Sequence, residues 1–210
     1  MRGHDVRAKS TVRDLYHYKH DGDQECHEQM ETNFFAPLRL IRGDLPFVRA
    51  QRHGTLVNVT GIAGLDGLPV CGLCAVSKFA LEGMSEGLTR EIESFGIRVL
   101  IVEPGGFQTK FLSAIKPTES GTGTPYLETA VGQVLEYYKT MSGKQAGDTD
   151  KGCLRIYEVL PGTGLAKDVP MHLRLPLAKD CARRTQAKVQ SLQTNLYDLV
   201  AIWSSADISE

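Results

Sequence analysis

Thr55-Leu56-Val57-Asn58-Val59, a long helical pattern from Ala75 to Phe95, and Ile97-Arg98-Val99-Leu100-Ile101-Val102 follow one another, with Gly54, Gly96 and Pro104-Gly105 as punctuation. This stretch constrains the fold more than any other part of the chain. Both apolar runs are rich in β-branched residues, short, and bounded by turn formers, so they read as strands. The segment between them is long enough for a helix and closes at Gly96, a residue type that accepts the left-handed conformation past a helix end. Strand, crossover helix, strand is a βαβ unit, with parallel strands and a right-handed crossover in nearly all proteins. In such sheets the working residues lie at the carboxyl ends of the strands, here Thr60-Gly61 and Glu103-Pro104-Gly105. The expectation is an α/β fold.

The rest of the chain is read around that unit. Residues 1–28 are polar, rich in charge and histidine, and carry no apolar period, so they are expected to form a poorly ordered arm before a single domain over 29–210. From His27 to Arg52, the residues Met30, Phe34, Leu38, Ile41, Leu45 and Val48 recur at steps of three and four. They predict a helix that Pro37 and Pro46 kink or split. Beyond Thr109, helical patterns run from Leu127 to Met141, Asp148 to Leu160 and Lys179 to Ile202, separated by Gly/Pro-rich loops. Trp203 is expected to be a packing anchor.

Composition excludes several function classes. The 24 basic residues against 25 acidic ones give a net charge of −1, spread along the chain, which offers no electrostatic footprint for nucleic acid. No apolar run approaches the ~20 residues that span a bilayer, and the first residues are charged and polar, so neither membrane insertion nor secretion is expected. Five scattered cysteines, an odd number, favour reduced thiols and a cytoplasmic setting. Cys71-Gly72-Leu73-Cys74 has the spacing of redox and zinc sites. No second Cys/His pair lies at ligand spacing, and His17, His20, Cys26 and His27 form at most a loose group, so no metal site is expected.

Four blocks in order carry a resemblance: Thr32-Asn33-Phe34-Phe35; Leu56-Val57-Asn58-Val59-Thr60-Gly61-Ile62-Ala63-Gly64; Ala75-Val76-Ser77-Lys78-Phe79-Ala80-Leu81-Glu82-Gly83; and Val102-Glu103-Pro104-Gly105-Gly106-Phe107-Gln108-Thr109. Together they resemble the short-chain dehydrogenase/reductase family, clearly from Glu31 to Leu112 and more weakly through Leu173-Arg174-Leu175-Pro176-Leu177 to about Arg184. The resemblance implies a Rossmann-like, doubly wound parallel sheet and an oxidoreductase that uses NADP or NAD on a small alcohol or carbonyl substrate. In that family an Asn, Ser, Tyr, Lys tetrad handles the proton.

Carried over residue by residue, the tetrad survives in part. Asn33 matches the asparagine and Lys78 the lysine, while the tyrosine falls on Cys74 and the serine on Gly61, with Thr60 beside it. A phenol of ordinary pKa ~10 needs a neighbouring ammonium to exchange protons near neutrality. Cys74 and Lys78 share a helix face at i and i+4. Lys78 and the helix N-terminus would both favour a thiolate, so Cys74 is expected to be the most reactive thiol, with Cys181, near Arg183 and Arg184, as its competitor. A thiol nevertheless stops far short of where a phenol oxygen sits, and proton transfer needs ~2.6–3.2 Å between heavy atoms.

The cofactor grip is also partial. Lys78 and Asn33 would serve the ribose and nicotinamide side, Pro104, Gly105 and Phe107 the turn over the ring, and Thr109 either a carboxamide or phosphate contact or a helix cap. No Gly-x-Gly-x-x-Gly or Gly-x-x-x-Gly-x-Gly occurs in the sequence. The family's first strand and glycine loop, which bind pyrophosphate through backbone amides, find no counterpart in residues 1–30. The expectation is therefore a Rossmann-like fold lacking the glycine-loop βαβ unit, with weak or absent dinucleotide binding and impaired or no turnover. Two other readings stay open: a non-catalytic module that forms homo- or hetero-dimers with family homologues through the helices beginning near His27 and Ala75, and a thiol redox protein using Cys71 and Cys74.

Overall fold

A computed structural model describes residues 21–112 and 127–208. Helix α1 (Asp21–Met30) runs into a π-helical segment (Glu31–Phe35) and then α2 (Ala36–Gln51). Strand β1 (Gly54–Val59), helix α3 (Gly72–Ile92) and strand β2 (Ile97–Pro104) follow. After them come α4 (Ala130–Met141), α5 (Thr149–Val159), β3 (Arg174–Leu177), α6 (Lys179–Asp198) and a last turn α7 (Val200–Trp203). The sheet is parallel in the order β1-β2-β3, with Gly54 opposite Ile97 and Ile101 opposite Arg174.

β2 is the centre of the molecule, and its sequence shows why. Val99 and Ile101 on one face pack with Ile41 of α2 and with Leu88 and Ile92 of α3. Leu100 and Val102 on the other face pack with Leu177, Phe107 and Ile156 of α5. A strand covered on both faces has no polar side to alternate, hence the unbroken apolar run. β1, at the sheet edge among the described residues, leaves Val57 and Val59 38% and 52% exposed.

The prolines act as the sequence predicts at one position only. The ring and missing N–H of Pro37 disturb the carbonyl four residues back, that of Asn33. The chain answers by widening there, with the Ala36 N–H bonded to Glu31 O five residues back. Pro46 is carried inside α2 without a break. At the end of α3, Gly96 takes φ +74°, and a Cβ there would stand 2.7 Å from Arg52 O. Glycine is thus needed twice over, for the turn and for the close approach of α2.

Other expectations need correction. The polar arm assigned to 1–28 lies outside the described residues up to position 20, and from Asp21 on it is helix α1. Trp203 is not a core anchor. It is half exposed, its Nε1 donates to Leu196 O at 2.9 Å, and it joins Leu192, Leu199 and Ile202 in a shallow apolar groove on α6 and α7.

Candidate functional site

Asn33 sits in the π-helical segment, whose extra residue per turn aims its side chain at α3. Its Nδ2 donates to the buried Ser77 Oγ at 3.1 Å, and Ser77 Oγ donates to Cys74 O at 2.8 Å. One amide therefore ties the widened turn to the first turns of α3. Lys78, a helical turn beyond Cys74, donates from Nζ to Val59 O at 3.1 Å, at the carboxyl end of β1. Burial holds the Lys78 ammonium below the usual lysine value, and Cys74 offsets this only in part.

The thiols depart from expectation. Burial pushes Cys74 up, Cys71 adds to that, and the opposing pull of Lys78 is smaller, so Cys74 is held as a thiol and not as an activated thiolate. Cys71, at the start of α3, lies 2.9 Å from the Tyr138 phenol of α4. Burial raises Cys71 against the opposing effects of Tyr138 and Arg184, and burial and Cys71 raise Tyr138. Cys181 is fully buried and donates to Glu103 O at 3.0 Å, which removes it as a competitor. Arg184, which drew attention to it, turns away to Asp66, with Nε 2.7 Å from Oδ2 and Nη2 3.0 Å from O.

Gly61 and Pro104 meet at the strand ends. The Thr60 and Gly61 N–H groups both donate to Val102 O, and a Cβ on Gly61 would lie 3.5 Å from Pro104 O. Gly61 has φ +81° and ψ 168°, a region open almost only to glycine. The Thr60 hydroxyl donates to buried Glu82 Oε1 at 2.5 Å and lies 3.3 Å from Val102 O. After Pro104 the chain is clasped from α6: Gly106 N–H donates to Asp180 Oδ2 at 2.7 Å, and a Cβ on Gly105 would collide with that carboxylate.

Asn33, Cys74, Lys78, Gly61, Pro104 and Gly105 are thus brought together by α3 and the ends of β1 and β2. Phe107 and Thr109 are not. The Phe107 ring packs on Gly147 and Gly152, where a Cβ would meet it at 2.8 and 2.6 Å, so its apolar surface is used in the core. The Thr109 hydroxyl accepts from Phe111 N at 3.2 Å in a local turn. Sequence reasoning passed over Ser77, Tyr138 and Asp180. Ser77 alone had a local signal, its place beside Lys78.

With this geometry in view, the comparisons with known proteins are specific. Residues 13–120 match the short chain dehydrogenase family model, and the chain belongs to that family. It is 47% identical over 120 residues to the oxidoreductase claN of Passalora fulva, covering 54% of this chain and 55% of that protein. A short-chain dehydrogenase from Streptomyces avermitilis superposes with TM-score 0.73 at 29% identity, over 89% of this chain and 65% of that one. A Burkholderia cenocepacia short chain dehydrogenase solved with NADP shares the fold, with TM-score 0.56 and 20% identity over 92% of this chain and 64% of that one. The chain spans about half the length of the curated relative named here. Among the described residues no helix is long and apolar enough to cross a membrane, and no group of three or more His, Cys, Asp or Glu is placed to hold a metal.

Proposed function

We propose that the chain is the nicotinamide-side part of a short-chain dehydrogenase/reductase acting on a small alcohol or carbonyl, using NADP or NAD, with impaired or no turnover in this form. A nicotinamide dinucleotide fits the residues present on one side only. Lys78 spends one of its three hydrogens on Val59 O and keeps donor capacity for ribose hydroxyls. Asn33 stands one bridging serine away from Cys74, and the Pro104-Gly105 turn abuts Gly61. The sequence offers no glycine-rich loop for the pyrophosphate. When bound, the cofactor would supply or accept a hydride.

The observation that carries the reading is Cys74. The family's phenol position holds a short thiol that burial keeps protonated, beside a glycine where the family has a hydroxyl. Losing a positioned acid–base group lowers rates about 10²–10⁴-fold, and losing an electrostatic donor about 10²–10³-fold. Calorimetric titration with NADPH is expected to show no low-micromolar binding, and carbonyl reduction is expected to stay near background. Tight binding together with robust reduction would overturn the reading. The NADP-bound Burkholderia relative supports the choice of cofactor class, and the odd, reduced cysteines support a cytoplasmic setting.

A second reading, a pairing module, is favoured by exposed apolar residues. Leu40 and Phe47 of α2 are each 70% exposed, and Val76 and Phe79 of α3 are 56% and 43% exposed. Each pair shares a face of its helix, and a homo- or hetero-dimer with family homologues would cover them. Sedimentation of Leu40→Lys/Phe47→Lys beside wild type separates the two readings: a dimer lost in the variant favours pairing. The thiol redox reading has less support, since burial raises both Cys71 and Cys74.

A further inference from the structure

A buried polar cluster outside the candidate site joins β2, β3 and the residue after β1 to α3. Glu103 of β2 is fully buried and Glu82 of α3 is 4% exposed. Arg174 of β3 reaches both, with Nε 3.1 Å from Glu82 Oε2 and 3.1 Å from Glu103 Oε1. Its Nη2 lies 3.0 Å from Glu82 and 2.5 Å from Glu86. Glu86 is half exposed and screened by water. Two buried carboxyls therefore face one guanidinium.

They are served unequally. Glu82 accepts from the Thr60 hydroxyl and from Arg174. Neither oxygen of Glu103 has an aligned donor, although Arg174 stands within ion-pair distance. An ionised carboxylate buried without donors is strongly disfavoured, whereas its protonated form can itself donate. Two carboxyls in one site settle this by keeping a proton between them, and they titrate as a pair. Burial and the charge of Glu82 push Glu103 up to about 7, against the pull of Arg174. Burial raises Glu82 in the same direction, opposed by Thr60 and Arg174.

We propose that Glu82 and Glu103 share one proton beneath the Arg174 guanidinium, and that this proton is a pH-sensitive latch on the two loops that rim the candidate site. Each loop is one bond or one contact away. Thr60 rests its hydroxyl on Glu82, and the Thr60 and Gly61 amides hang on Val102 O, next to Glu103. Glu103 leads directly into Pro104-Gly105-Gly106, where Gly105 N–H donates to Leu177 O and Gly106 N–H to Asp180. The charged groups facing Glu103 are Glu82 from α3 and Arg174 from β3, with Glu86 on the far arm of Arg174 and the Cys181 thiol of α6 raised by burial and kept neutral. Asp180, one residue before, is bound to Gly106. When the shared proton leaves, a second negative charge stands against Glu82 with one cation between them. The repulsion strains the segments on either side.

The sign follows from the raised value. The folded chain holds a proton that the unfolded chain releases near 4.5, so this contribution to stability is complete below 4.5 and is lost as pH rises through about 7. At full extent the change in folding equilibrium is on the order of a hundredfold.

The test is amide hydrogen exchange on the full chain, corrected for the intrinsic pH dependence of exchange, at Thr60, Gly61, Gly105 and Gly106. Protection is expected to fall about tenfold or more from pH 6 to pH 8 in wild type and to stay level in Glu103→Gln. Level protection in wild type, or an equal fall in Glu103→Gln, overturns the latch. If Glu103→Gln does not fold, infrared titration of wild type decides. A buried protonated-carboxyl band present at pH 6 and gone by pH 8 upholds the shared proton, and no such band refutes it. Glu82→Gln, which removes the like charge, is expected to lower the midpoint of that band, and an unmoved midpoint would show that the two carboxyls do not share a proton.

Discussion

The start of α3 and its middle turns use their polar residues in opposite ways. Around Cys74 and Lys78, a thiol that burial keeps protonated stands one turn from an ammonium that lies below its usual value and is bound to one backbone carbonyl. One to two turns on, the polar side chains are fully committed. Asn58 donates to Ser85 Oγ at 2.8 Å, Ser85 donates to Leu81 O at 2.6 Å, and Glu82 holds Thr60 and Arg174. The frame that holds α3 against the strands therefore rests on its middle turns, not on the polar groups at its start.

The sharpest break in this comparison is at Arg174. Arg174→Met leaves Glu82 and Glu103 facing each other without a cation and is expected to cost about 3 kcal/mol at pH 8. The cost should be smaller at pH 5, where both carboxyls can take up protons. Denaturant unfolding at the two pH values measures it, and a loss independent of pH would mean that Arg174 acts through packing alone.

Next comes Gly61. Gly61→Ser adds the hydroxyl that the resemblance leads one to expect there but puts a side chain on a backbone at φ +81°, with an expected cost of about 1–3 kcal/mol. Space is not the obstacle, since a Cβ would clear Pro104 O at 3.5 Å. Combined with Cys74→Tyr, it is expected to lower the thermal midpoint and to leave carbonyl reduction near background. A double variant that is both stable and active would show that the start of α3 needs only its side chains back.

The smallest effect concerns thiol chemistry. Alkylation with mass-spectrometric mapping should label the exposed Cys153 first, Cys71 and Cys74 more slowly, and buried Cys181 last. In Lys78→Met the labelling of Cys74 should slow by a small factor, because the one group that lowers its pKa is gone. Early labelling of Cys74 would restore the expectation read from its helix position.

Legibility in the sequence followed the range of the interactions. β1, α3 and β2 could be read because each carries its own local pattern and stop signal, and Pro37 marked a disturbance in the first helical pattern though not its π-helical form. β3 has four residues, one of them a proline, and was reached only through the family resemblance. The start of α1, before His27, was missed because its residues are polar on every side, so no apolar stripe marks it. The contacts that organise the site join positions far apart: Cys71 with Tyr138, Glu82 with Arg174, Gly106 with Asp180, and Asp66 with Arg184. Nothing within a window of sequence records them. Cys181 shows the cost of reading by proximity, since its charged neighbour in sequence serves another loop.

The half-exposed valines of β1 bear on how the molecule behaves in crowded solution. Gly54–Val59 holds no proline and no charged residue, and it is not bulged against β2. Among the described residues its outer row of N–H and C=O groups faces no strand. Such an edge lacks the devices by which proteins refuse stray strands. Among the described residues it is the edge at which an added strand would find unpaired N–H and C=O groups.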